Sequence, residues 1–245
     1  MNARAPKTPK RPASGPVSRP VAGRPASRRS GHGAGLPLSR ERIVTAALRL
    51  VEREGLAAFS MRKLGEALGV EAMSLYHFFP SKQHIADALV DAAISTVEFA
   101  RQSAPALEQL RTCCRGYRAM AHRHARLFQL VAFHRLNTPT GVAFIERVLV
   151  IVRKVAGDDE AAARHFRTLG YYLTGTALDE TSGYAKGPSA AEPVSDEYVS
   201  AHCPQLARSA RFFKEAEWER TFELGLDALL EAAQADSAKP GAGRR

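Results

Sequence analysis

The sequence contains no apolar run that approaches the roughly 18 residues needed to cross a bilayer. It also has no apolar segment near its start of the kind that a secretory signal carries. Only three cysteines are present, without a metal-ligand spacing, and the adjacent Cys113 and Cys114 fall on different sides of a helix. These absences predict a soluble, cytoplasmic protein with no metal, no cofactor and no disulfide between those two cysteines.

Acidic and aromatic residues are both absent from residues 1–37. That segment holds seven of the 14 prolines and eight of the ten net positive charges, so it cannot bury enough apolar surface to offset its ordering entropy. We expect a disordered basic tail, which can add salt-dependent affinity for DNA by neutralising phosphates. The alternatives are a solvated leader without a function and a misplaced start codon.

Signatures of catalysis are also missing, since no phosphate-binding glycine loop and no nucleophile elbow occur. His122 and His124 point about 200° apart on a helix, and His134 follows a predicted turn, which is a poor spacing for a metal. Cys113 with His122 offers a nucleophile and a base but no oxyanion site. An enzyme using that pair is the least favoured alternative, and we expect no enzymatic activity.

Alternating strand patterns are absent, whereas apolar residues recur at helical spacing along the chain. We therefore predict an all-α fold with a turn at 137–141 and a flexible loop at 186–200. The predicted helices cover residues 40–54, 61–68, 72–78, 82–101, 105–124, 125–136, 142–155, 160–185, 203–210 and 213–235.

Residues 60–84 read as two short helices and the start of a third. Ser60 can cap the first helix with its hydroxyl, and a turn of about three residues begins at Gly69. Pro80 ends the second helix because it lacks an N–H and disfavours the helical region for the preceding residue. This spacing is typical of a helix-turn-helix.

The second helix of this stretch has two distinct sides. Leu75 and Phe79 can face inward, whereas the other side carries small or hydrogen-bonding residues that suit a major groove about 12 Å wide. A plain three-helix packing unit explains the same pattern equally well. The outward residues are Ala72, Met73, Ser74, Tyr76 and His77, and Arg62 and Lys63 of the preceding helix would stand beside DNA phosphates.

Three motifs here are specific: Arg-Lys-Leu at 62–64, Leu-Gly-Val at 68–70 and Ser-Leu-Tyr-His-Phe-Phe-Pro-Ser-Lys at 74–82. Together they make residues 39–91 resemble the DNA-binding domain of the TetR family of bacterial repressors. The chain departs from the family at Phe78, where many relatives carry histidine. The resemblance implies that Tyr76 and Lys82 hold backbone phosphates, that Arg62 and positions 72–74 meet bases, and that Ser60 donates to a phosphate. The predicted DNA-binding residues are Ser60, Arg62, Lys63, Ala72, Met73, Ser74, Tyr76, His77 and Lys82.

The C-terminal half resembles the family more weakly. In the family the last two long helices pair with their twofold mates, and residues 160–185 and 213–235 match them by position. Both helices also carry faces of apolar and small residues that exceed what a monomer needs to bury. We expect a homodimer whose two heads, about 34–36 Å apart, read a near-palindromic operator in double-stranded DNA.

Aromatic side chains are spread over four predicted helices of the C-terminal half. Aromatic walls with few polar groups are typical of small-molecule sites, although core packing explains each residue taken singly. Together with the family resemblance they predict a pocket for an unknown small-molecule effector. The candidate ligand-binding residues are Tyr117, Phe128, Phe133, His134, Phe144 and Tyr171.

These predictions give a tail over 1–37, a helix-turn-helix DNA-binding domain over 38–84, a C-terminal ligand-binding and dimerisation domain over 85–236, and a frayed end over 237–245. The expected function is a homodimeric repressor that a small-molecule ligand releases from a palindromic operator. The alternative is an architectural or non-specific DNA-binding protein without an effector.

Overall fold

A computed structural model of the chain describes residues 37–182 and 190–238. Within those ranges the chain forms α-helices and three short 3₁₀ turns without a β-strand, which confirms the all-α prediction. No helix in the described ranges is both long enough and apolar enough to span a bilayer. The helices are α1 (Arg40–Glu54), α2 (Met61–Leu68), α3 (Ala72–Tyr76), α4 (Lys82–Ile94), α5 (Ala106–Arg123), α6 (Ala125–Phe133), α7 (Pro139–Ala156), α8 (Asp159–Ser182), α9 (Asp196–His202), α10 (Pro204–Ser209) and α11 (Trp218–Ser237).

Helices α1 and α2 begin and end at the predicted residues because local signals define both of their ends. The hydroxyls of Ser39, Ser60 and Ser81 each accept a hydrogen bond from the amide three residues further on, at 3.2–3.4 Å. Each therefore satisfies one of the amides that the first turn of a helix leaves unpaired. Gly69 ends α2 in the left-handed conformation, with φ 69° and ψ 31°.

Helix α4 connects the first three helices to the rest of the chain. Ile85, Leu89, Val90 and Ala93 are buried along it. It packs against α1 and also against α5, α6 and α7. A movement of α4 would therefore displace helices in both halves of the chain.

The prediction of a helix over 82–101 was wrong at its end, since α4 stops at Ile94. Ser95 Oγ and Thr96 Oγ1 donate to backbone oxygens within the last turn, each at 2.7 Å, and such local bonds compete with a continuing helix. The non-helical chain that follows crosses α5 at Gly116, where an added Cβ would lie 2.8 Å from the backbone of Glu98.

Other boundaries also differ from the predictions. Helix α7 begins at Pro139, inside the predicted turn, because Thr138 Oγ1 accepts from the amide of Gly141 at 3.0 Å and proline is favoured in a first turn. The described part of the predicted loop contains the start of α9, which Ser195 caps. Helix α3 ends at Tyr76, α6 at Phe133 and α10 at Ser209, while α11 covers Trp218–Ser237. The last residues of the helix predicted to reach 185, the tail apart from Pro37 and residues 239–245 lie outside the described ranges.

In the C-terminal half, α5, α7, α8 and α11 pack on one another around a buried apolar core. Ion pairs join three of these helices at the edge of that core. Arg118 Nε lies 2.7 Å from Glu180 Oε2, its guanidinium also binds Glu219, and it covers the ring of Phe222 at 4.5 Å. Only 4% of the Glu180 side chain is exposed, so this carboxylate depends on its cationic partner.

Candidate functional site

The outward side of α3 is the first candidate surface. Leu75 and Phe79 are fully buried, as predicted, whereas Met73 is 69% exposed and Tyr76 and His77 are exposed. The predicted outward residues Ala72 and Ser74 are partly exposed beside them. A short helix thus presents one side of mixed, uncharged chemistry while its other side holds it to the protein.

The turn between α2 and α3 depends on glycine. A Cβ added to Gly65 would lie 2.8 Å from the carbonyl oxygen of Val70 and 3.2 Å from the amide of Ala72. The Val70 amide also donates to the Gly65 carbonyl at 3.0 Å. This close approach, together with the left-handed Gly69, fixes the angle at which α3 leaves α2.

The predicted basic contacts divide into two kinds. Arg62 Nη1 binds Glu66 Oε1 at 2.7 Å on the exposed side of α2, and such an exposed pair is weak and easily exchanged for another anion. Lys63 Nζ instead binds Glu54 Oε2 at 2.8 Å and so ties α2 to the end of α1. That bond, with one from Arg53, lowers the pKa of Glu54 below its ordinary value.

Lys82 and Arg40 are two further basic residues near α3, and each donates a hydrogen bond to a backbone carbonyl. Lys82 Nζ donates to the carbonyl oxygen of Phe59 at 3.3 Å and lies 5.6 Å from the centre of that ring. Arg40 Nη1 donates to the carbonyl oxygen of Phe78, and its guanidinium lies 4.1 Å from the centre of the Phe79 ring. Arg40 was not among the predicted residues. Its position at the start of an amphipathic helix does not indicate that it binds the chain at Phe78 and Phe79, just after α3.

A cavity of about 230 Å³ among α5, α7 and α8 is the second candidate site. Of the six predicted ligand-binding residues, Tyr117 and Phe144 line it. Phe128 is fully buried behind Tyr117, and the two rings meet edge to face with their centres 5.9 Å apart. The predicted Phe133 and Tyr171 do not reach the cavity, because they are 81% and 65% exposed.

The side chains that complete the cavity were not among the predicted residues. Helix α5 adds Leu110, Cys113 and Cys114. Helix α8 adds Phe166, Leu169, Gly170, Leu173 and Thr174, whose helical spacing had been assigned to pairing with a second subunit. That spacing revealed the buried face but not the void, which depends on how the helices pack.

Burial controls the protonation of the polar groups in this cavity. It raises the pKa of the Cys113 thiol to about 12 and also raises that of Cys114. Burial likewise raises the pKa of Tyr117, although a hydrogen bond with Thr174 acts in the opposite direction. All three groups are therefore uncharged at neutral pH.

The turn after α6 joins this cavity to α4. Leu136 lines the cavity. On either side of it, His134 Nε2 lies 2.8 Å from Asp87 Oδ1, and Thr138 Oγ1 donates to Asp91 Oδ1 at 2.6 Å. The predicted ligand residue His134 thus binds α4 and lies in a separate depression that Phe133 also lines.

The histidines considered for metal binding separate onto different elements. His122 Nε2 lies 2.6 Å from Glu180, and His124 Nδ1 lies 3.1 Å from Glu52 of α1. Among the described residues no group of three or more His, Cys, Asp or Glu side chains is arranged to hold a metal ion.

An exposed strip runs along α8 and α11. It includes Tyr171 and Gly175 on α8 and Leu224, which is 73% exposed, on α11. The larger apolar residues of α8, such as Leu169 and Leu173, instead face the interior. Part of the apolar face that the sequence pattern assigned to a second subunit is therefore buried within one chain.

Two segments of the chain match known protein families. Residues 43–89 match "Bacterial regulatory proteins, tetR family", and residues 105–235 match "Tetracyclin repressor-like, C-terminal domain". The two segments contain, respectively, the surface of α3 and the cavity. The second segment alone covers more than half of the chain.

Individual relatives are similar over long segments. The "HTH-type transcriptional repressor DrrR1" of Streptomyces coeruleorubidus is 27% identical over 155 residues, which are 62% of this chain and 57% of that repressor. The "Tetracycline repressor protein class A from transposon 1721" of Escherichia coli is 27% identical over 202 residues, 77% of this chain and 87% of the repressor. The crystal structure of ActR of Streptomyces coelicolor in complex with actinorhodin, 27% identical, covers 83% of this chain and 100% of that chain with a TM-score of 0.69.

Proposed function

The chain belongs to the tetR family of bacterial regulatory proteins, and on that basis we propose that it is a cytoplasmic homodimeric repressor. It binds a palindromic operator with two copies of α3 and leaves the operator when a small molecule occupies the cavity. This proposal rests mainly on α3. Leu75 within this helix and Phe79 just after it are buried and hold it to the protein. Its outward side is uncharged and lies in the N-terminal part of the chain, which binds DNA in the family.

The geometry of α2 and α3 supports DNA reading. The outward residues Ala72, Met73 and Ser74 occupy the start of α3, and the N-terminal residues of a recognition helix are those that reach base edges. Arg62 lies on α2 with only a weak ion pair to give up. We assign base contacts to these four residues and phosphate contacts to Tyr76 and Lys82.

The exposed strip on α8 and α11 supports a dimer. Leu224 is 73% exposed on α11, and Tyr171 and Gly175 are exposed on α8, so both of the helices that the family uses for pairing carry exposed residues of this kind. One short recognition helix reads few bases, whereas two heads about 34–36 Å apart read two half-sites.

The turn between α6 and α7 explains how a bound ligand would release the DNA. A ligand in the cavity presses on Leu136, and the bonds from His134 to Asp87 and from Thr138 to Asp91 carry the displacement to α4. Shifting the dimer from 1:99 to 99:1 in favour of the DNA-incompetent state requires about 5.5 kcal/mol of differential ligand affinity. Structures of the relative ActR with actinorhodin and with (S)-DNPA support a ligand-responsive protein.

Selection of random duplex DNA by the purified full-length protein tests this function. The expected result is a palindromic consensus whose half-sites are about one helical turn apart. Unselective binding that weakens steeply with salt would instead support the architectural alternative, in which charge alone holds the DNA.

A further inference from the structure

The walls of the cavity are apolar apart from one small region. Leucine, isoleucine, valine and phenylalanine side chains of α5, α7 and α8 form most of the surface, and no lining residue is charged. The polar exceptions are two thiols, the phenol of Tyr117 and the hydroxyl of Thr174.

Charged groups outside the cavity are engaged elsewhere. Arg147 acts electrostatically on Cys113, but its guanidinium stacks on the ring of Phe99, 3.7 Å from the ring centre. Arg111 and Glu223 act on Cys114 with opposite signs and pair with each other at 3.4 Å. A charged ligand would therefore lose its hydration without gaining a partner of opposite charge, which is strongly unfavourable in an apolar site.

The thiols do not supply the missing charge. Burial keeps Cys113 and Cys114 protonated at neutral pH, and only a thiolate is a strong nucleophile or metal ligand. Electrophiles and thiophilic metal ions consequently find no activated partner here. What the thiols add to the wall is polarisable, weakly polar surface.

The two hydroxyls define a single polar end. Tyr117 on α5 and Thr174 on α8 both line the cavity, and the Thr174 hydroxyl lowers the pKa of the Tyr117 phenol. A hydroxyl can donate one bond and accept others, so this pair can extend its bonding to one hydroxyl or carbonyl group of a ligand.

The volume limits the size of the ligand. An apolar cavity of about 150 Å³ is sufficient for benzene. The present cavity has a volume of about 230 Å³, which is enough for a molecule with a single ring or with two fused rings.

We infer that the effector is a compact, uncharged and mainly hydrocarbon molecule that carries one hydroxyl or carbonyl group bound by Tyr117 and Thr174. The inference rests on the proposed function in taking this cavity as the effector site. It adds the chemical class of the ligand and the two residues that orient it.

Three probes with one ring skeleton test the inference on the full-length protein without DNA: 2-naphthol, naphthalene and the 2-naphthoate anion. Equilibrium dialysis at neutral pH should show 2-naphthol binding most tightly. Naphthalene should bind about threefold to tenfold more weakly, the value of one hydrogen bond, and 2-naphthoate more than about 100-fold more weakly.

Two conservative variants place the polar contact. Tyr117→Phe and Thr174→Val should each reduce the preference for 2-naphthol over naphthalene, while the exposed control Tyr198→Phe on α9 should leave it unchanged. Because both variants keep the side-chain shape, naphthalene binding serves as the internal measure of an intact cavity. Equal binding of the anion, binding of none of the probes, or an unchanged preference in both variants would overturn the inference.

Release of DNA is measured separately, so that the two proposals can fail independently. Tight, hydroxyl-dependent binding of 2-naphthol without any effect on DNA affinity would contradict ligand-released repression and leave the ligand class standing. Release of DNA by 2-naphthoate through the same cavity would contradict the ligand class and leave the repressor standing.

Discussion

His134 Nε2 and Asp87 Oδ1 lie 2.8 Å apart, and the bond between them fastens the turn after α6 to the middle of α4. Thr138 binds Asp91 one helical turn further along. Burial raises the pKa of Asp87, but hydrogen bonds from His134 and Gln83 outweigh it, so its pKa lies below the ordinary value. Asp87 therefore stays ionised at neutral pH, which strengthens the bond that ties the turn to α4.

Removing these bonds should separate ligand binding from DNA release. Asp87→Ala and Asp91→Ala should bind the operator about as well as the unmodified protein but respond less to ligand. The expected loss of coupling is about 0.5–2 kcal/mol, or roughly twofold to thirtyfold in the ligand effect. Gln83→Ala is the control, because Gln83 binds Asp87 from within α4 rather than from the turn. Titration of DNA binding against ligand gives the answer, and an undiminished response in both variants would contradict the link.

Residues that contact DNA phosphates should contribute equally to binding whatever the DNA sequence. Tyr76→Ala and Lys82→Ala should each weaken binding by a similar factor on every duplex, and Lys82→Ala should also reduce the salt dependence by about one phosphate. Affinities measured on the consensus and on a scrambled duplex at several salt concentrations test this. A loss confined to the consensus would assign these residues to bases instead.

Base contacts should show the opposite behaviour. Arg62→Ala and Ser74→Ala should each relax preference at particular base positions, by about 1–3 kcal/mol for a good base-edge bond. Arg164→Ala is matched to Arg62→Ala, because Arg164 forms an equivalent exposed pair with Glu160 on α8 at 2.7 Å. Repeating the DNA selection with each variant should change the consensus for the first two only. If the consensus is the same for Arg62→Ala and Ser74→Ala as for the unmodified protein, neither residue contacts bases.

Gly65→Ala should disturb the helix-turn-helix even though alanine favours helices. Its Cβ would meet the carbonyl of Val70 at 2.8 Å, and such overpacking costs about 1–3 kcal/mol. Urea unfolding of Gly65→Ala should show a free energy of unfolding that is lower by that amount. An unchanged free energy of unfolding would mean that the turn has room to relax.

The buried carboxylate of Glu180 should make Arg118 important for stability. Arg118→Leu should lower the free energy of unfolding by about 3 kcal/mol, because it removes the guanidinium and leaves the buried Glu180 carboxylate with its bond to His122. Adding Glu180→Leu should recover most of that loss, since no buried charge remains. If the double variant is as unstable as the single one, lost packing on Phe222 rather than charge explains the effect.

Local signals explain which parts of the fold could be predicted from the sequence. Ser39, Ser60 and Gly69 act on their immediate neighbours, so the ends of α1 and α2 could be read directly. The end of α4 could not, because the apolar spacing continues to Val97 while Ser95 and Thr96 bind back to the helix.

The cavity was beyond sequence analysis for a related reason. Its walls come from three helices that are distant in sequence, and a void forms only where their side chains fail to meet. Counting aromatic residues identified Tyr117 and Phe144 but also Phe133 and Tyr171, which face outward. Helical spacing identifies a buried side without showing what it encloses.

The proposed repressor holds its two copies of α3 at one fixed separation. Once the consensus is known, the most direct test compares the protein's affinity for that palindrome with its affinity for the same half-sites separated by about five additional base pairs. Half a helical turn places the second half-site on the opposite face of the duplex. A rigid dimer should then bind no better than to a single half-site, whereas unchanged affinity would contradict the two-headed repressor.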